Sequence, residues 1–344
     1  MLATPADPVK RAKLEKHVEE DEIGYIHVLN RVLPDEIRVV GWSPVPISFH
    51  GRFSALARTY RYFFMGNGLD IEAMRTAGKA LIGTHDFSHF CKLDWENVVN
   101  FVRSVLEFEI VPLPHSTFNP ADCTRPHAGP EASGLTTYGS AYQMYYIHIK
   151  GFAFLWHQVR FTVAVLFLVG RGLEDPSIVR KLLQRGPDLG RPQYVMASEI
   201  PLVLWDVEYE NLNLMMSHKE TQHVLTRWAR VQSNFAIRAA AVGAMSDSVV
   251  QRIVDSNGIS WLDHNATLST SGPSASPSTR PTAGYEAGDI LPFTSLGRAA
   301  QSFNKKYVPL EERKRCRTFA EHWKAHGQEP PSLNRLKQFA VPEE

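Results

Sequence analysis

Arg160 is the first residue of this chain whose setting demands chemistry. It stands at the base of the run Phe161-Thr-Val-Ala-Val-Leu-Phe-Leu-Val-Gly170. Val159, Val163, Leu166 and Gly170 recur there at i, i+4, i+7 and i+11, one apolar stripe of a helix. A guanidinium beside an apolar wall costs desolvation unless it meets a carboxylate or a phosphate. Either Arg160 snorkels its head to solvent, or it serves a site that holds an anion. His157 lies one turn before it. The second cluster is Arg58-Thr-Tyr-Arg-Tyr-Phe-Phe64. As a strand it puts Arg58, Tyr60 and Tyr62 on one face and Thr59, Arg61 and Phe63 on the other. Arginine interleaved with aromatics suits phosphate contact combined with base stacking. A half-buried strand with surface arginines has the same pattern. Asp86, in Gly83-Thr-His-Asp-Phe87, has the type of a nucleophile, yet its place in a loop suits it to accept backbone N–H groups.

These residues need elements to carry them. Tyr145, Ile147 and Ile149 alternate with Tyr146, His148 and Lys150, the period of a strand with one buried face, and Gly151 breaks that run before the helix of Arg160. Further strands are expected over 37–42, 101–110 and 202–209. Further helices are expected over 28–33, 71–82 (Met74, Ala77, Gly78 and Leu81 on one face), 174–183 and 218–243. Residues 112–140 are rich in Pro, Gly, Ser and Thr and read as an insertion between paired strands. Residues 269–288 are low in complexity and expected to be disordered. The domain reading is a charged flexible N-terminus at 1–22, a main domain at 23–245, a linker at 246–303 and a basic C-terminal extension at 304–344. That extension reads equally as a solvated charged helix or as an RNA contact.

At 344 residues the chain can bury a substantial core, and 44% hydrophobic with 21% charged residues is ordinary for a globular protein. A net charge of +1 leaves any nucleic-acid affinity to local basic patches. The three cysteines form no CxxC pair, which fits a reducing compartment, cytoplasmic or nuclear. No run is long enough to span a bilayer, and no membrane association is expected. The 14 histidines include no HExxH and no metal-ligand spacing, so no metal is expected.

Phe152-Ala-Phe-Leu-Trp-His-Gln-Val-Arg160 with its following apolar helix resembles the signature of the TruA-type tRNA pseudouridine synthases. It looks similar to the eukaryotic branch of that family, which modifies tRNA positions 38 and 39. Phe49-His-Gly-Arg-Phe-Ser-Ala55 with Arg58-x-Tyr60-x-Tyr62, the Gly83-Thr-His-Asp-Phe87 loop and the Pro201-Leu-Val-Leu204 strand follow in the family's order. The resemblance covers roughly residues 28–209 and resumes at 307–321. It implies an α+β fold, a mixed or antiparallel sheet flanked by helices. It implies no cofactor, a tRNA substrate and a homodimer that builds its cleft between copies. It also implies roles. Tyr60 matches the tyrosine that stacks on the target uracil and aids proton transfer, and Arg160 matches the arginine that pairs with the catalytic aspartate. His50, Arg52, Arg58, Arg61, His85, Lys92 and His157, from the same blocks, are the expected RNA-binding residues.

The family's aspartate lies in a Gly-Arg-x-Asp-x-Gly-Val motif upstream of Leu-Asn-x-x-Leu-Pro, here Leu29 to Pro34. No Gly-Arg-x-Asp occurs in these 344 residues. The expectation is therefore a fold truncated at its N-terminal strands and a chain that is inactive as it stands. The alternatives are a non-catalytic tRNA-binding relative, or another acid recruited as nucleophile.

Overall fold

The computed structural model describes residues 23–34, 37–66, 68–94, 96, 98, 100–113, 143–210, 212–257 and 307–327. In chain order the helices and strands are α1 (Tyr25–Val32), β1 (Ala55–Met65), α2 (Ile71–Lys79), β2 (Gly83–Asp86), β3 (Val102–Pro112), β4 (Met144–Gly151), α3 (Gln158–Gly170), α4 (Ile178–Gln184), β5 (Leu202–Tyr209), α5 (His218–Asn257) and α6 (Phe319–Ala325). They divide into two units, one of residues 1–50 with 211–242, the other of 51–210 with 243–344. None of the described helices is long and apolar enough to cross a membrane.

The larger unit is α+β. Its sheet has five antiparallel strands in the order β2-β3-β4-β1-β5. The period-2 pattern of β1 sends Tyr62 and Phe64 into the core, where their rings meet Phe167 of α3 at 5.9 and 5.4 Å. On β4 the same face carries Ile147 and Ile149, opposite Tyr62 and Tyr60. α2 packs on α3 and on β3. Gly78 permits that approach, because a Cβ there would stand 1.9 Å from the ring of Phe108. The expected one-sided stripe of α3 is replaced by enclosure: every residue from Gln158 to Gly170 except Arg160 is buried. With the sheet on one side and α2 on another, only the end that bears Arg160 reaches the surface.

In the smaller unit, the side chain of Asn30 on α1 holds the following segment through both its atoms. Its Nδ2 donates to the Val39 carbonyl and its Oδ1 accepts the Val39 N–H, each at 2.8 Å. The strand expected over 37–42 does not form. Only Trp42 and Met215 exchange backbone bonds, at 3.1 and 2.7 Å, because a β-pattern without a neighbouring strand has no ladder to join. α5 passes Gly243 and continues to Asn257, so 246–257 is helix where a linker was expected. A lone glycine weakens a helix without ending it. The expected segments 1–22, most of the 112–140 insertion and the 269–288 tract lie outside the described residues.

Candidate functional site

Gly151 ends β4, and a tight turn over 152–157 leads into α3. Gln158 braces that turn, its buried side-chain Oε1 accepting the Leu155 N–H at 2.8 Å. His157 caps the helix in the left-handed conformation, φ 60°, among the described residues the one non-glycine with positive φ. A residue held there marks a place where the surroundings over-determine the backbone. The turn delivers Arg160 to the surface end of α3 with its side chain only 13% exposed. Its Nε donates to the Ala197 carbonyl at 2.8 Å, and its Nη2 donates to Glu199 Oε2 at 2.8 Å. The contact is single, not a bidentate fork, and Glu199 is 71% exposed. Nη1 of Arg160 has no partner among the described residues.

Tyr62 sits with its ring fully buried and its hydroxyl without a partner among the described residues. Burial pushes its pKa up to about 12, an effect that the nearby Arg160 charge opposes and Glu199 reinforces. Tyr60, two residues earlier on the same face, stands edge-on to Phe154 at 5.2 Å, in the turn that precedes Arg160. Its pKa is also raised by burial, with Arg58 pulling the other way. The pairing of β1 with β5 slips between Thr59 and Tyr60. An irregularity of this kind re-aims a side chain and bends the strand locally. The tyrosines and the arginine therefore share the helical side of the sheet at the β4–α3 corner. The charged form of the His157 imidazole is disfavoured there, with Glu199 alone acting the other way. Burial lowers its pKa first, and the charges of Arg160 and Lys92 add to that.

The remaining expected RNA-binding residues do not all gather at this corner. Lys92 does, with its ammonium 4.2 Å over the Trp156 ring. Arg58 spends its donors on backbone carbonyls, reaching Phe152 O at 2.7 Å and Arg52 O, so it ties two loops together. Arg61 points to the opposite face of the sheet, between the rings of Tyr146 at 4.6 Å and Trp205 at 3.8 Å. His85 is on β2, three strands from β1, with its Nε2 paired to the Ile82 carbonyl at 2.9 Å. Arg52 and His50 are exposed. The carboxylate of Asp86 accepts the Ser88 N–H at 2.8 Å and so fixes its own loop. Among the described residues no group of His, Cys, Asp or Glu could hold a metal ion.

Three residues of the corner were missed from sequence. Tyr62 could have been found, since the period of two puts it beside Tyr60. Glu199 gave no signal, because Arg160 is distant in sequence, and Trp156, though inside the Phe152–Arg160 run, was not singled out because its partner Lys92 is distant too.

Residues 77–210, which contain the turn, α3 and Glu199, match the family model described as tRNA pseudouridine synthase. That stretch is similar to the tRNA pseudouridine synthases. Among similar proteins, the tRNA pseudouridine(38/39) synthase of Mus musculus is 39% identical over 234 residues, 67% of this chain and 45% of the mouse protein. The protein of the same name from Saccharomyces cerevisiae is 40% identical over 195 residues, 56% of this chain and 38% of its own length. The tRNA pseudouridine synthase A of Thermococcus onnurineus is 32% identical over 196 residues, 56% of this chain and 59% of its own. The chain thus spans about half the length of the synthases it matches.

Proposed function

We propose that this chain serves the isomerisation of uridine to pseudouridine in tRNA, at positions 38 and 39 of the anticodon stem-loop. The reaction breaks the glycosidic bond, turns the base and rejoins it through carbon. A carboxylate acts as nucleophile, and no cofactor is called for. In this reading Tyr60 stacks on the target uracil and aids proton transfer, and Arg160 holds the nucleophilic carboxylate. The observation that carries the reading is the state of Arg160. It is nearly buried, it is tied by one N–H to an exposed glutamate, and it keeps Nη1 for a further acceptor. Its setting is one in which a second carboxylate would be worth far more than Glu199 is.

Because no Gly-Arg-x-Asp occurs among the 344 residues, the chain alone is expected to bind tRNA without turning it over. Release of tritium from 5-tritiated uridine in an anticodon stem-loop tRNA is the direct assay. Multiple turnovers would overturn the inactivity, and Glu199 and Asp86 would be the acids to replace first. A homodimer forming the tRNA cleft is part of the same reading. Light scattering at micromolar concentration should then give twice the 38.8 kDa chain mass.

A further inference from the structure

Lys92 and Trp156 lie 64 residues apart and are joined twice. The backbone N–H of Lys92 donates to the Trp156 carbonyl at 3.0 Å, and the Lys92 ammonium lies 4.2 Å over the indole. On that indole the His157 imidazole stacks, with centroids 5.0 Å apart and planes 24° from parallel. The indole is nevertheless 49% exposed. Among the described residues Lys92 has no carboxylate partner, so its charge is uncompensated. A free surface lysine is a mobile, strongly hydrated charge, and fixing it costs side-chain entropy. Here the ring and the backbone bond hold the ammonium in advance. It is held beside the left-handed turn that carries Arg160, close enough that both cations act on His157.

We propose that Trp156 is a positioning residue that braces the Lys92 ammonium against one phosphodiester of the bound RNA, on a nucleotide flanking the target uridine. The proposal deepens the RNA-cleft reading above and rests on it. Arg160, with its side chain 13% exposed, lies too deep to take an exposed phosphate. Lys92 has the opposite character: exposed, preorganised and, among the described residues, without a carboxylate partner. A point charge fits a phosphodiester whatever the base, so this subsite fixes register and does not read sequence.

The test is tRNA affinity as a function of salt, measured on the 344-residue chain and on Lys92→Met, Trp156→Ala, Trp156→Phe and the double variant Trp156→Ala with Lys92→Met. Loss of one phosphate contact lowers the slope of log K against log salt by about 0.8. Lys92→Met should show that change. Trp156→Ala, which keeps every charge, should show most of it, with roughly tenfold weaker binding at low salt. Trp156→Phe, which keeps a ring face, should recover the slope. The double variant should bind no more weakly than Lys92→Met alone, because the two residues act as one unit. Additive losses, or weaker binding by Trp156→Ala at an unchanged slope, would overturn the bracing role and make Trp156 an independent stacking contact. An unchanged Trp156→Ala would overturn it as well. Should Trp156→Ala fail to fold by circular dichroism, Trp156→Leu keeps the apolar bulk without the π face and must lose the slope. If the unmodified chain shows no salt-dependent tRNA binding, the RNA-cleft reading fails and this proposal falls with it. If the unmodified chain binds and only the variants disagree, the failure is confined to Trp156.

Discussion

At the scale of single residues, the corner is defined by what Arg160 lacks. An exposed ion pair contributes about 0–1 kcal/mol, and the one with Glu199 belongs to that class on the glutamate side. A nearly buried guanidinium held so loosely contributes little to stability against the desolvation it costs. Arg160→Met keeps the apolar stem of the side chain and its packing on α3 while removing the charge. Its expected effect on unfolding free energy is within about 1 kcal/mol of zero. The same variant should abolish isomerisation in any assembly that supplies the nucleophile. Urea denaturation checks the first half of this expectation. A loss of several kcal/mol would make Arg160 structural, with Ala197 and Glu199 as its purpose. Glu199→Gln should be close to neutral in the same experiment.

At the scale of elements, the link from the Ser88–Phe90 turn to the loop after α4 runs through a buried histidine whose charged form is disfavoured. His89 is 1% exposed, its Nε2 pairs with the Gly186 carbonyl at 2.8 Å, and its Nδ1 has no partner among the described residues. Burial lowers its pKa first and the charges of Arg315 and Arg185 add to that, while the Gly186 bond and Asp86 act the other way. A histidine whose folded pKa lies below its ordinary value near 6.5 binds more protons when unfolded, so stability rises with pH across that interval. Its contribution is complete above about pH 6.5 and is lost as pH falls through the folded pKa. The melting temperature should therefore fall between pH 7.5 and pH 5.5, and His89→Gln should flatten that dependence. Equal slopes for both proteins would exclude His89 as the cause. The elements were legible to the degree that their signals were local. β5 matches its expected bounds, and β4 and α3 follow from alternation that Gly151 interrupts. The segment 37–42 had a strand's composition, but strand formation is decided by a neighbour that composition does not name. The length of α5 escaped because Gly243, read as a stop, has no capping geometry there. At the site, Tyr60 and Arg160 were legible as residue types in ordered motifs. The diversion of Arg58 and Arg61 to other tasks was not, since carbonyls 6 and 94 residues away claim one and rings on two other strands claim the other.

At the scale of the molecule, the basic segment near the C-terminus was read as either an RNA contact or a solvated helix, and its described part is a strap on the larger unit. Glu174, just after α3, accepts the Tyr307 hydroxyl and the Leu310 N–H, each at 2.6 Å. Glu311 takes Lys181 at 2.9 Å and also Arg185. Backbone bonds join Cys316 to Arg191 at 2.7 Å and Gln193 to Lys314 at 2.9 Å, and Phe319 lies edge-on to Phe101. Gly190 lets the strap in, since a Cβ there would stand 2.1 Å from the Cys316 carbonyl. Much of the positive charge is spent internally: Arg313 donates to the Val308 carbonyl at 2.7 Å, and Arg315 donates to the Glu311 carbonyl at 3.0 Å. What fastens the strap is Leu310, fully buried in the main core. Leu310→Ala should cost about 2–5 kcal/mol, read as a lower urea midpoint at an unchanged m-value. Because the strap's work is packing, the salt slope of tRNA binding by the still-folded variant should stay that of the unmodified chain. A shallower slope with stability intact would reverse the assignment, making the strap a phosphate contact and its docking incidental.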